Sequence, residues 1–265
     1  MDKISTIIGK EWAELFRNRM VLSITAFLPL FLAVLPLLSI WMINRFGGDM
    51  NDLNTGGGDM TAVFSSLCVG LSDEECMQAY TLSLFTFMFM ILPVAIPVTI
   101  AAYSIVGEKT TQSLEPLLAT PITTAELLVG KALAAIIPAI IATWLSFGIY
   151  LVGMRFLVSD AVYAQLLDPL WFLAIFVVGP LLALLAVCFG LMISSRVSDP
   201  RVAEQLAALI VVPLILIVVG QSVGLILIDR QMVILIGLVV AVLDIVLVII
   251  TIQLFQRETI LTRWK

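Results

Sequence analysis

Histidine is absent from the 265 residues. Without it the chain cannot build a His-ligated metal centre, a Ser-His dyad or an imidazole base, so the commonest hydrolytic and metal chemistries are excluded. Charge is scarce as well: Asp, Glu, Lys and Arg make up 12% of the chain, about half of the roughly 25% usual in soluble domains. The three cysteines include no Cys-x-x-Cys pair and are too few for a disulfide framework or a four-ligand zinc site. No basic stripe exists that could neutralise the phosphates of a nucleic acid, and the net charge is -5. No Gly-x-x-x-x-Gly-Lys-[Ser/Thr] phosphate loop occurs; Gly130-Lys131 has neither the upstream Gly nor the following hydroxyl.

What the chain does have is apolar length. Hydrophobic residues make up 61% of it, against roughly 45–50% in soluble domains. A bilayer core about 30 Å thick needs roughly 20 apolar residues in helix, and only helices and closed barrels satisfy every backbone polar group there. Six long runs select helices: Met20 to Ile43, Ala79 to Val106, Ala132 to Leu157, Leu170 to Ser194, Val202 to Ile228 and Met232 to Phe255. The expected fold is therefore an all-α membrane protein with six transmembrane helices over residues 20–265. The first run follows a polar segment with no small-residue cleavage site behind it, so no removable signal peptide is expected. Gly220-Gln221-Ser222 interrupts the fifth run, and Val223 to Ile228 reads as a bend as readily as straight helix.

Lys and Arg orient the bundle. Placing the N-terminus inside puts Lys3, Lys10, Arg17, Arg19, Lys109, Lys131, Arg196, Arg201, Arg257, Arg263 and Lys265 on the inner side, against Arg45, Arg155 and Arg230 outside. This bias predicts both termini in the cytoplasm of a cell membrane. Ahead of the first span, over residues 1–19, Ile4, Ile7, Ile8, Trp12, Leu15 and Phe16 recur at helical spacing with Lys3, Lys10, Glu14 and Arg17 between them. That pattern predicts an amphipathic helix on the inner leaflet, with Trp12, Arg17 and Arg19 at the headgroup boundary. The outer loop 44–78 is rich in Gly, Asp and Asn; it holds Cys68 and Cys76, which can pair if the compartment oxidises them.

The inner segment 107–131 carries the most information. Ser113 can cap a short helix whose first turn holds Glu115 and Pro116, and Thr120-Pro121 stops it. Thr123 and Glu126 then stand at capping-box spacing and start the third membrane helix. The product is a short helix lying crosswise between two spans, showing Leu114, Leu117 and Leu118, which suits docking into a groove of a soluble partner as well as lying against the bilayer.

Glu108-Lys109, Ser113-Leu114-Glu115 and Leu117-Leu118-Ala119-Thr120-Pro121 resemble the coupling-helix signature of ABC-2 type membrane subunits of ATP-binding cassette transporters. Lys10-Glu11, with Glu14, Arg17, Asn18 and Arg19 ahead of Leu28-Pro29, resembles the N-terminal helix of the same family. The resemblance implies a permease subunit seated on a separate ATPase, in two copies, that holds ATP and Mg, and facing a second permease subunit, identical or homologous. It implies export, in the branch that moves sodium, drugs or lipids, and it implies that Glu108, Lys109, Ser113, Leu114, Glu115, Leu117, Leu118, Thr120 and Pro121 couple ATPase to permease. This chain then binds no cofactor itself.

Within the membrane, Asp244 in the last span is costly to insert, by roughly 2.5–3.5 kcal/mol, and must face the bundle interior or a subunit interface; Gln221 is a weaker polar candidate. Asp244 and the break at Gly220 keep open an ion-coupled secondary carrier, and the crosswise helix is equally compatible with a membrane scaffold or sensor. An intramembrane enzyme is disfavoured, because Lys3, Lys10, Lys109, Lys131 and Lys265 all fall on the inner side, away from any serine at mid-membrane.

Overall fold

The computed structural model describes residues 2–17, 19–50, 70–110, 122–223, 225 and 228–254. They form helices throughout, with no strand among them, as a lipid solvent demands of backbone groups that cannot reach water. In chain order the helices are α1 (Asp2–Arg17), α2 (Arg19–Met50), α3 (Asp73–Met88), α4 (Leu92–Thr110), α5 (Thr124–Met154), α6 (Asp160–Leu166), α7 (Pro169–Leu173), α8 (Gly179–Arg196), α9 (Pro200–Ala208), α10 (Val212–Ser222) and α11 (Arg230–Leu254). Short 3-10 turns, Phe89–Ile91 and Leu209–Val211, join α3 to α4 and α9 to α10.

Six stretches are long and apolar enough to cross a bilayer: Thr25–Phe46, Glu74–Glu108, Ala125–Met154, Asp160–Arg196, Pro200–Ser222 and Arg230–Leu254. Local chemistry moves their ends from the expected positions. The loop expected over 44–78 shortens, because α2 runs on to Met50 and a Ser72–Glu75 capping box starts α3 at Asp73. The third helix starts at Thr124, where Thr123 and Glu126 form the capping box that their spacing predicts. The fourth span begins with the short helices α6 and α7 and then widens into a π turn, Ala174–Val178, just ahead of Pro180, whose missing N–H loosens the ladder there. The fifth span ends at Ser222, not at 228: the Val223 N–H closes on Val219 and the Leu225 N–H on Gly220, at 2.8 Å.

The second span is the centre of the bundle. Two-thirds of its most apolar window is buried (67%), against 17% in the fifth and sixth spans. Its tightest neighbour is α8. At Gly190 a Cβ would stand 2.9 Å from the Ala101 Cβ and 3.2 Å from the Val98 carbonyl oxygen, so only a residue without a side chain lets the two backbones approach this closely. Small residues at such contacts are how membrane helices associate where no hydrophobic force draws them together. Ser194, two residues short of the end of α8, accepts hydrogen bonds through Oγ from the Ile105 and Val106 N–H groups at 3.2 and 3.0 Å, pinning the same pair of helices further along.

Candidate functional site

At the end of the bundle where α1 lies, four charged side chains from three elements meet. Ile7, Glu11 and Leu15 lie four residues apart and share one face of α1, and all three are buried. That face enters the groove between α4 and α5. Gly130 admits it, since a Cβ there would stand 2.8 Å from the Ile7 Cγ2. One residue on, Lys131 meets Glu11: Nζ lies 2.7 Å from Oε1, and the lysine side chain is only 1% exposed.

A buried ammonium must place all of its protons, and this one does. Besides Glu11, Lys131 Nζ donates to Ser104 Oγ at 2.9 Å and to the Ser104 carbonyl at 3.3 Å, and it stands 3.0 Å from Glu108 Oε1. Ser104 Oγ in turn donates to Glu11 Oε2 at 3.3 Å. Lys10 reaches the same Glu108 oxygen from the other side at 2.7 Å and has Glu14 at 3.6 Å. Burial works against the charged form of Lys10, but its bond to Glu108, with Glu14 and Glu11 close by, outweighs this and holds the ammonium above the ordinary lysine value. Two carboxylates and two ammoniums thus balance in a pocket where an unpaired charge would be costly.

A second anchor depends on a proline. Pro138 lies inside α5 and has no N–H to offer the carbonyl four residues back, that of Ala134. The indole N–H of Trp12 donates to that freed oxygen at 3.0 Å. Trp12 is therefore fixed into the side of α5. A third contact, Lys3 to Glu126 at 3.6 Å, lies near the surface. Together these contacts tie one helix to both roots of the segment between α4 and α5: Glu108 stands just before it and Glu126 just after.

The segment itself falls largely outside the described residues. Ser113, Leu114, Glu115, Leu117, Leu118, Thr120 and Pro121 are all outside them, and for Lys109 and Arg19 only the helical backbone is described. Of the coupling residues expected from the sequence, Glu108 alone has a described side chain, and it is 4% exposed. Arg17 is exposed near the end of α1. Glu11, Ser104 and Lys131 were not singled out in the sequence as a cluster, although a glutamate on the apolar stripe of α1 is the signal that would have found it.

The intramembrane candidates lie apart. Asp244 is 4% exposed, and neither carboxylate oxygen has a hydrogen-bond partner among the described residues. Cys188 of α8, a free buried thiol, faces it and Thr251, which stands two turns further along α11. Gln221 is buried near the far end of the bundle, its Nε2 in long contact with Ser83 Oγ at 3.5 Å. At that far end Cys76 takes part in a disulfide, while Cys68 lies outside the described residues. No group of His, Cys, Asp and Glu suited to holding a metal occurs among the described residues.

The family model described as ABC-2 family transporter protein matches residues 5–255. No curated protein matches the chain.

Proposed function

The chain belongs to the ABC-2 family of transporter proteins, a multi-pass membrane permease of an ATP-binding cassette transporter, and from this we propose that it is an exporter subunit driven through residues 107–131 by a separate ATPase. In this reading the α1 end faces the cytoplasm of a cell membrane, as the Lys and Arg distribution favours. Two ATPase chains supply ATP and Mg, and a second permease subunit covers part of the apolar surface that the fifth and sixth spans leave exposed. Export is the direction that the sequence resemblance implies.

One observation carries the coupling: α1 holds both roots of the segment, Lys10 to Glu108 at one and Lys3 to Glu126 at the other. A push on the segment is then delivered to α1, α4 and α5 together. Such a push tilts a body and does not merely bend a loop, which is the kind of rigid-body step that alternates access. Lys131 and Trp12 stiffen the same joint from within. The carboxylate of Asp244, without a hydrogen-bond partner among the described residues, favours a second reading, an ion-coupled carrier.

The test replaces Leu117→Asp and Leu118→Asp together. The expected result is loss of permease-stimulated ATP hydrolysis in reconstituted complexes, with membrane insertion intact. Coupling that survives both charges would refute the assigned role of the segment. ATP-independent, ion-driven uptake by the chain alone would replace it with the carrier.

A further inference from the structure

We propose that the recess at the end of the bundle remote from α1 is a binding site for a small organic cation, an ammonium group carrying an apolar portion. The recess encloses about 190 Å³ between the start of the second span and the α6–α7 turn, with Ile228 closing one side. Its apolar wall includes Leu82, Val162 and Trp171. The proposal does not depend on the direction of transport or on the ATPase, because the recess is a property of the bundle alone.

The sign of the ligand follows from the one charge in the lining, set against hydroxyls that are already engaged. Ser83 Oγ donates to the Tyr80 carbonyl at 2.8 Å and Thr86 Oγ1 to the Leu82 carbonyl at 2.7 Å, so the donors of both hydroxyls face their own helix. Each then has at most one lone pair left, since Gln221 Nε2 lies 3.5 Å from Ser83 Oγ and the Tyr150 hydroxyl 3.1 Å from Thr86 Oγ1. Asp168 is the only charged residue among the described lining residues, and it brings acceptors alone. One of its oxygens caps the Leu170 N–H at 2.8 Å, a bond that leaves its negative charge in place. The neighbouring cation, Arg155, is taken by Asp160 at 2.7 Å and stacks over Tyr163 at 5.4 Å. Gln165 and the Trp171 indole N–H line the recess as well and bring donors, so the sign of the ligand rests on the Asp168 carboxylate, which with the Trp171 ring attracts an ammonium and repels an anion.

The test is equilibrium dialysis of radiolabelled benzyltrimethylammonium against the purified full-length chain, with neopentylbenzene as its uncharged isostere. Saturable binding of one probe per chain, poorly displaced by the isostere, is expected. Asp168→Asn keeps an oxygen to cap Leu170 but removes the charge, and it should weaken binding about tenfold; Trp171→Leu should weaken it too. Glu74→Gln removes an exposed carboxylate at the same end of the bundle that neither lines the recess nor pairs with a cation among the described residues, and it should leave affinity unchanged. Unsaturable binding would overturn the proposal, as would equal losses in Asp168→Asn and Glu74→Gln, which would reduce the effect to general surface charge. Circular dichroism of each variant checks that it is folded. Repeating the assay in nanodiscs of phosphatidylcholine and of an uncharged galactolipid, which match in net charge, separates two sources of the same chemistry: weaker probe binding in phosphatidylcholine identifies a lipid headgroup as the competitor, and equal binding a soluble cation, either of which sustains the site.

Discussion

Lys131→Met offers the sharpest test of how α1 is held. The ammonium is 1% exposed and lies 2.7 Å from Glu11 and 3.0 Å from Glu108, so its removal strands carboxylates in a place water does not reach. Losing one partner of a buried pair costs about 3–5 kcal/mol. Glu108 still keeps Lys10 at 2.7 Å, whereas Glu11 keeps, among the described residues, only the Ser104 hydroxyl at 3.3 Å. The penalty therefore concentrates on Glu11, and the lower end of the range, about 3 kcal/mol, is expected. Because α1 is a peripheral element, this energy is lost first as undocking of α1 and only later as unfolding of the bundle.

Limited proteolysis of α1 in micelles measures that opening directly, since cleavage tracks the open population when reclosing is fast. A loss of about 3 kcal/mol raises the cleavage rate by roughly a hundredfold. The companion double variant, Glu11→Met with Lys131→Met, removes both charges and fills the space with apolar side chains, so it should return to within about 1 kcal/mol of the parent. Lys3→Met, which breaks an ion pair whose partners are 50% and 33% exposed, should change cleavage by less than about 1 kcal/mol. A threefold effect or less from Lys131→Met, or a double variant no better than either single one, would show that α1 does not depend on this pair.

Trp12→Phe should loosen α1 by about 1 kcal/mol through the lost bond to the Ala134 carbonyl, and the effect should vanish in a Pro138→Ala background, where the restored N–H satisfies that carbonyl; proteolysis of α1 reads both. Gly190→Ala drives a methyl into the Ala101 Cβ and the Val98 carbonyl and should destabilise the bundle by about 1–3 kcal/mol, whereas Gly148→Ala, with nothing within 4 Å of the new methyl, should be neutral or gain up to about 1 kcal/mol from helix propensity; denaturant unfolding followed by circular dichroism compares them. Peptide mapping without reductant should recover Cys76 joined to Cys68, and alkylation should reach Cys188, 4% exposed, only after unfolding. A linked pair in cells would also place this end of the bundle in an oxidising compartment.

The spans were legible because a lipid solvent imposes its own ruler: a run of about 20 apolar residues has few alternatives to a crossing helix. Span ends were legible only where a capping pair announced them. Thr123 and Glu126 did so, whereas the start of the fourth span is broken at Asp168-Pro169 and again by a π turn ahead of Pro180, irregularities that have no sequence period. The candidate site was legible in pieces. Trp12 stands out as a membrane-boundary residue, but nothing in a linear pattern pairs it with a carbonyl 122 positions away. Lys131 counts in the sequence only as one more cation of the inner side, and its place among the most buried polar groups is set by residues distant in the chain. Gly130-Lys131, excluded as a phosphate loop, has a mechanical use: the glycine admits Ile7 and the lysine holds Glu11.

The distribution of tight contacts also says where motion is affordable. The α1 helix is locked to α4 and α5 by buried ions, and α4 is locked to α8 by backbone approach at Gly190 and by Ser194. Packed elements of this kind shift as one body, because close-packed contacts are not continuously deformable. The fifth and sixth spans, 17% buried in their most apolar windows, lack an equivalent network of ion pairs among the described residues. A displacement that starts at Glu108 therefore moves α1, α4, α5 and α8 together and is taken up where that body meets α9 to α11. Asp244 lies on that boundary, on α11 and facing Cys188 of α8. Its carboxylate, without a partner among the described residues, has surroundings that such a movement would change, so fluorine NMR of a fluorinated residue built in at position 188 during synthesis should respond to the nucleotide state of the assembled complex, whereas the same residue at position 101, inside the locked body, should not.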